Sequence, residues 1–199
     1  MAQTKQAKTL SRQQIKAILS RLDETRYPER DRVRFLLSIK AGMRAKEIAA
    51  LTWSMVTNSE GNISEAIELH NDASKGKKGG RAIPMHTDLM KALATLQAIR
   101  GDKAHPNWPV VYSERMGHKG LSAASITVWF HRLYSDLGMQ GCSSHSGRRT
   151  FVTNAARKIT EAGGSLRDVQ QLAGHSSIQT TQLYIEGSTN AKKKVIALL

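Results

Sequence analysis

Residues 144–186, SHSGRRTFVTNAARKITEAGGSLRDVQQLAGHSSIQTTQLYIE, constrain this chain more than any other stretch, because reactive polar side chains recur there in order within a helical pattern. His145 and Arg148 form H-x-x-R, and on a helix beginning at Ser144 or Ser146 they share one face. His175 follows a glycine in A-G-H. Tyr184 comes nine residues later, across a polar, Ser/Thr-rich segment able to return it to the histidine. Arginine offers a planar fork for phosphate oxygens, histidine moves protons near neutral pH, and tyrosine can act as a covalent nucleophile. Together these groups suit a phosphodiester. The competing reading makes His145 a helix cap and Tyr184 a tyrosine at the edge of a core.

Charge narrows the partner. Thirty Lys and Arg stand against 16 Asp and Glu, a formal net charge of +14, which points to a polyanion. A solvated basic surface is the bland alternative. Aromatic residues make up only 5%, too few for a single-strand binder built on base stacking, so duplex phosphate contact is the better expectation. Cys142 is the single cysteine, which excludes a disulfide framework and a cysteine metal site and leaves it a small packing residue. The seven histidines are scattered, and no H-E-x-x-H or paired-carboxylate motif points to a metal or cofactor site. No apolar run approaches the roughly 20 residues that span a bilayer. The first ten residues lack the apolar core of a signal peptide. The expectation is a soluble, intracellular protein in contact with nucleic acid and without a membrane partner.

Taken in order, 199 residues suffice for one large core. Residues 1–9 read as a flexible basic arm. Ser11 and Gln14 form a capping box before Ile15, Ile18, Leu19 and Leu22 at helical spacing. Pro28 opens a second helix carrying Val33, Leu36, Leu37 and Lys40. Between Lys5 and Lys46 twelve basic side chains face four acidic ones, which predicts positive outer faces. Gly42 breaks the pattern, and a short helix follows through Leu51. Arg44 sits where that turn meets the helix start, and Glu47, one turn on, can hold its guanidinium. An ordinary surface ion pair is the competing reading.

A β region follows, with short segments predicted at 53–56, 62–69 and 81–84. The connection 72–81, DASKGKKGGR, is glycine-rich with four cations and one acid, and could lie along a DNA groove. Thr87–Asp88 is predicted to cap a helix with Leu89, Leu93 and Leu96 inward. The segment 110–112 is a short strand or a buried connector. Ser122 opens a helix with Ile126, Trp129, Phe130 and Leu133 inward, and with His131 and Arg132 on a face open to phosphate or to water. The site helix is predicted over 146–161, and Ser165 caps the next one.

The carboxy-terminal segment, running H-x-x-R, G-H, then Tyr, resembles the tyrosine recombinases, the lambda-integrase family. Residues 41–53, AGMRAKEIAALTW, resemble that family's first motif, and Arg81-Ala82-Ile83-Pro84 resembles the strand after its lysine-bearing hairpin. The resemblance covers nearly the whole chain from about Ile15, without the separate DNA-clamping domain most members carry, as in short members such as the fimbrial phase-switch invertases. Arg149 stands where many members have His, Gly147 where Leu is commoner, and the hairpin loop is one glycine longer than in many relatives.

The resemblance implies a mainly α fold with a small antiparallel β-sheet, a catalytic domain at 10–186, and a tail at 187–199 that docks on a neighbouring protomer; fraying or self-docking are equal alternatives for the tail. It also implies cutting and rejoining of duplex DNA without metal or ATP. Tyr184 would attack the scissile phosphate to form a 3′-phosphotyrosyl bond. Arg44 and Arg148 would clamp the nonbridging oxygens, and His175 would donate a further hydrogen bond. His145 would accept the phenol proton. Lys75 would protonate the departing 5′ oxygen, with Lys77 the rival and Lys78 third. Lys77, Lys78, Arg81 and Arg149 are expected on DNA, and Glu47 behind Arg44. Two rounds would exchange strands through a four-way junction, with a dimer or tetramer on the DNA in a prokaryotic or phage-derived cytoplasm, at the nucleoid. A catalytically silent DNA-binding regulator, a type IB topoisomerase and a basic RNA-binding module are the rivals. Whether an accessory DNA-binding protein supplies the clamp stays open on sequence.

Overall fold

The computed structural model describes residues 6–70, 80–115, 117–184 and 196. The architecture is mainly helical with one two-stranded antiparallel sheet among the described residues. The chain divides into two compact units, one ending at Phe151 and one beginning at Val152.

In the first unit, α1 (Arg12–Asp23) starts at the expected capping box. The Gln14 N–H donates to Ser11 Oγ at 3.2 Å and the Ser11 N–H to Gln14 Oε1 at 2.8 Å. Helix α2 (Pro28–Lys40) opens with its proline in the first turn, where no N–H is needed. It is the central element: it packs against α1, against α3 (Ala45–Ala50) and against α4 (Thr87–Arg100), and it buries Val33, Phe35, Leu36, Leu37 and Ile39. A helix apolar on so many sides lies inside rather than on a core.

That central position withdraws two of the twelve cations from the outer faces. Arg30 and Arg34 of α2 point inward and are buried with Asp31. Asp31 Oδ1 lies 3.1 Å from a nitrogen of each guanidinium, and Glu114 adds a contact to Arg30 at 3.1 Å. The Arg34 guanidinium stacks 4.3 Å from the Trp129 ring, and burial pulls its pKa down to about 10. A cavity of about 540 Å³ lies beside these residues, walled by Leu121, Ala124 and Val128 of the segment leading into α5 and of that helix (Ala123–Asp136).

The predicted segment at 53–56 is a 3-10 turn, Trp53–Met55, not a strand. Trp53 is fully buried, and its backbone N–H donates to the Trp108 carbonyl at 3.1 Å rather than to a sheet partner. Strand β1 (Ala66–Leu69) is the last half of the 62–69 expectation and pairs with β2 (Arg81–Pro84) in the register Ile67 opposite Ile83 and Leu69 opposite Arg81. The cap of α4 is His86, whose ring accepts the Asp88 N–H, in place of the expected Thr87–Asp88. Residues 110–112 form the buried connector: Val110 and Val111 are closed off from solvent, and the Val110 N–H donates to the Leu51 carbonyl at 2.9 Å. Helix α5 presents Ile126, Phe130 and Leu133 to the core as predicted, together with Tyr134, while His131 and Arg132 are exposed.

Helix α6 (Ser146–Lys158) runs through the boundary between the units and ends three residues before the expected 161. Its first turn seats on α2 at Gly147. A Cβ there would run into the Ser38 hydroxyl, which explains in packing terms why glycine replaces a larger residue. The second unit continues with α7 (Leu166–Ala173) and α8 (Ile178–Gln182). Ser165 precedes α7, and its N–H and hydroxyl donate to Asp168 at 2.7 and 2.9 Å. No helix among the described residues is long and apolar enough to cross a membrane.

Candidate active site

In the first unit the site begins at a backbone reversal. Gly42 ends α2 with a φ of 63°, a left-handed conformation that glycine adopts without strain. A Cβ at this position would also meet the Phe151 ring of α6. The reversal lets the Met43 N–H donate to the Leu37 carbonyl at 3.0 Å and delivers Arg44 as the cap of α3.

Glu47 sits at the third position of α3, where a glutamate can reach back to the cap residue. Its Oε2 accepts the Arg44 backbone N–H at 2.8 Å, and its Oε1 accepts Arg44 Nη1 at 2.9 Å. Arg81 approaches the same carboxylate from β2, with Nη1 to Oε1 at 2.9 Å and Nη2 to Oε2 at 3.2 Å. The Glu47 side chain is 1% exposed. Burial pushes this carboxyl up, but the bonds and charges of Arg81 and Arg44 outweigh it and hold it below the usual glutamate range. Glu47 therefore stays ionised, with two guanidiniums around it.

Arg148 enters from α6. Its Nη1 donates to the Gly42 carbonyl at 2.6 Å, a buried bond between residues 106 positions apart. The turn that carries Arg44 is thus also the seat of the Arg148 guanidinium. His145 is exposed one residue before α6. Its N–H donates to Ser143 Oγ at 3.3 Å and its carbonyl accepts the Arg149 N–H at 2.8 Å, with Arg149 half-buried. Lys75, Lys77 and Lys78 lie outside the described residues.

In the second unit, α7 ends on Gly174, left-handed at φ 61°, so the chain turns directly into His175. His175 is buried, and its Nδ1 makes a 2.9 Å hydrogen bond with Thr181 Oγ1. The Gln170 amide donates to the His175 carbonyl at 3.0 Å. Tyr184 returns across α8 to stack on the imidazole, with ring centroids 5.6 Å apart and planes at 21°.

Two features escaped sequence reasoning. Thr181 is one of several Ser and Thr in its segment, and nothing in the spacing singles it out as the partner of His175. The other is the bond of Arg81 to Glu47: strand alternation puts Arg81 on the face of the apolar Ile83, two residues on, a signal that points its side chain toward the core.

The fold is that of tyrosine recombinase catalytic domains. It matches the Tn1549 transposon integrase, solved in complex with circular intermediate DNA, with a TM-score of 0.73 and 19% identity, covering 100% of this chain and 68% of that one. It matches the XerA recombinase crystal structure equally well, with a TM-score of 0.73 and 24% identity over 96% of this chain and 64% of that one. Residues 8–190 match the phage integrase family, and the chain belongs to that family. Among similar sequences are tyrosine recombinase XerD of Rickettsia conorii, 28% identical over 98% of this chain, and XerA of Thermococcus onnurineus, 29% identical over 94%. The chain spans 64% and 61% of the length of these two relatives.

Proposed function

We propose that this chain is the catalytic part of a site-specific recombinase that cuts and rejoins duplex DNA through a tyrosine-linked intermediate. The observation that carries the reading is the Arg148 bond to the Gly42 carbonyl, which gathers the H-x-x-R arginine and Arg44 at one turn. Two guanidiniums drawn from distant parts of the chain fit a single anionic centre with two nonbridging oxygens.

In the proposed reaction Arg44 and Arg148 hold the scissile phosphate and offset the charge that builds on its equatorial oxygens. The Tyr184 oxygen attacks phosphorus, the bond to the 5′ oxygen breaks, and a 3′-phosphotyrosyl link forms. His145, exposed at the start of α6, accepts the phenol proton, because a neutral phenol of pKa about 10 is a poor nucleophile. His175, whose Nδ1 is hydrogen-bonded with Thr181 Oγ1, donates a further hydrogen bond to the phosphate in this reaction. A lysine of segment 71–79, Lys75 before Lys77, protonates the leaving 5′ oxygen. The phosphotyrosyl link conserves the phosphodiester energy, so a partner strand's 5′ hydroxyl can reverse the step without ATP. Exchange between two duplexes then requires a dimer or tetramer of the chain on DNA.

The names of the similar proteins support this reading: relatives are tyrosine recombinases, and lambda integrase has been solved as a dimer on a core site. The test is end chemistry on duplexes taken from the flanks of the encoding locus and nicked beside the candidate cleavage step. Cleavage should leave protein on the 3′ end and a 5′ hydroxyl that a polynucleotide kinase labels directly. Protein on the 5′ end, or a 5′ phosphate, would contradict the mechanism.

A further inference from the structure

Arg81 faces Glu47, not solvent. On β2 it shares a face with the buried Ile83 and lies opposite Leu69, so its side chain enters the body of the first unit. Its Nη1 and Nη2 meet the two oxygens of Glu47 at 2.9 and 3.2 Å, the fork-to-fork geometry that distinguishes arginine from lysine. Its Nε is closed off from solvent and makes no hydrogen bond, so it is not presented to a phosphate. The Arg81 side chain is 12% exposed, against 29% for Arg44 on the same carboxylate.

We infer that Arg81 is a positioning residue for the proposed cleavage: it balances the charge of Glu47, so that the Arg44–Glu47–Arg81 cluster carries net positive charge on the Arg44 side, and it clips β2 to the Arg44 turn. The inference rests on the reading given under Proposed function. The physical reason is charge balance. Arg44 and Glu47 alone make a neutral pair, and a carboxylate 2.9 Å from the guanidinium would cancel much of the field that Arg44 directs at a phosphate. Adding Arg81 gives two cations to one anion. The carboxylate then orients Arg44 without neutralising it. Strand β2 also follows the segment that holds Lys75, Lys77 and Lys78, so the same bidentate bond ties the chain leaving that segment to the Arg44 turn.

The experiment uses the full chain as wild type, Arg81→Gln, Arg81→Lys and Glu47→Gln/Arg81→Gln. Each is tested on labelled nicked duplexes for single-turnover adduct formation and for equilibrium binding across a salt series. The expected result is an Arg81→Gln adduct rate about 30-fold or more below wild type, in the range of a lost electrostatic contribution to the transition state. The dependence of binding on salt should stay at the wild-type slope, because no phosphate contact is lost. The double variant should be at least about fivefold faster than Arg81→Gln, since the carboxylate that needed balancing is gone. Arg81→Lys, which keeps the charge and loses the fork, should fall between. A salt slope reduced by about one, with bound complex cleaving at the wild-type rate, would make Arg81 a phosphate contact and overturn the inference. A double variant no faster than Arg81→Gln would overturn it too. Should Arg81→Gln unfold, Arg81→Lys, which keeps two cations beside Glu47, and the double variant, which has no carboxylate at that position, carry the comparison. If wild type forms no adduct on any duplex, the recombinase reading fails separately, and the salt slopes still decide where Arg81 points.

Discussion

Arg148 in the first unit is buried and Arg44 half-buried, with Glu47, Arg81 and the Gly42 carbonyl around them, whereas Tyr184 in the second unit, also half-buried, lies beyond a five-residue helix with its ring against His175. The arginine side of the chemistry is cross-linked by elements far apart in sequence. The tyrosine side is local: His175, Thr181 and Tyr184 fall within ten residues. A helix as short as α8 gains little stability of its own. The contrast sets arginines tied across distant segments of the first unit against a tyrosine carried on a short local segment of the second, and under the proposed reaction it divides phosphate binding from nucleophilic attack.

The largest effect should come from breaking the clamp. Arg148→Lys keeps a charge and loses the planar fork, and we expect adduct formation to fall by about 10³-fold, as for other arginines that stabilise phosphoryl transfer. Single-turnover cleavage reads this directly, and a loss under tenfold would remove Arg148 from the clamp. Next in size is packing at the turn. Gly42→Ala meets both a left-handed φ and the Phe151 ring, for about 2–4 kcal/mol, while Gly163→Ala in the second unit meets a φ of 75° in open space, for about 1–2 kcal/mol. Urea denaturation of both variants compares the units, and equal losses would contradict the difference in packing.

A smaller effect is expected where His175 is held. Thr181→Val removes the hydrogen bond to Nδ1 and should slow cleavage up to about tenfold with duplex binding intact. Smallest is the acid response of Glu47. Its carboxyl is held below the ordinary range, so its contribution to stability is present above the unfolded-state pKa and is lost as pH falls through the folded one. Urea midpoints measured from about pH 6 to pH 3 should therefore fall less steeply for Glu47→Gln than for wild type. An identical slope would mean that the carboxylate is not held by the two arginines.

Much of this was legible in sequence. Helix starts at Ser11, Pro28, Ser122 and Ser165, and the strand at 81–84, follow from capping, proline and alternation, which are local rules. The segment at 53–56 misled because Trp53 and Val56 have strand-like side chains, and burial against the 105–110 loop decided its conformation. Arg30 and Arg34 misled for the opposite reason. Their charge predicts exposure, and only the three-dimensional placement of Asp31, Glu114 and Trp129 offsets their burial. The site's residue types could be read in order, whereas the convergence of Arg148 on the Gly42 carbonyl could not, because it joins segments 106 residues apart.

The most direct test of the central claim compares wild type with Tyr184→Phe on nicked duplexes from the encoding locus, resolved on denaturing gels, with binding measured in parallel. The account predicts a covalent protein–DNA band for wild type and none for Tyr184→Phe, at matched duplex affinity. A band that persists in Tyr184→Phe would place the nucleophile elsewhere and contradict the proposed division between an arginine clamp in the first unit and a Tyr184 nucleophile in the second.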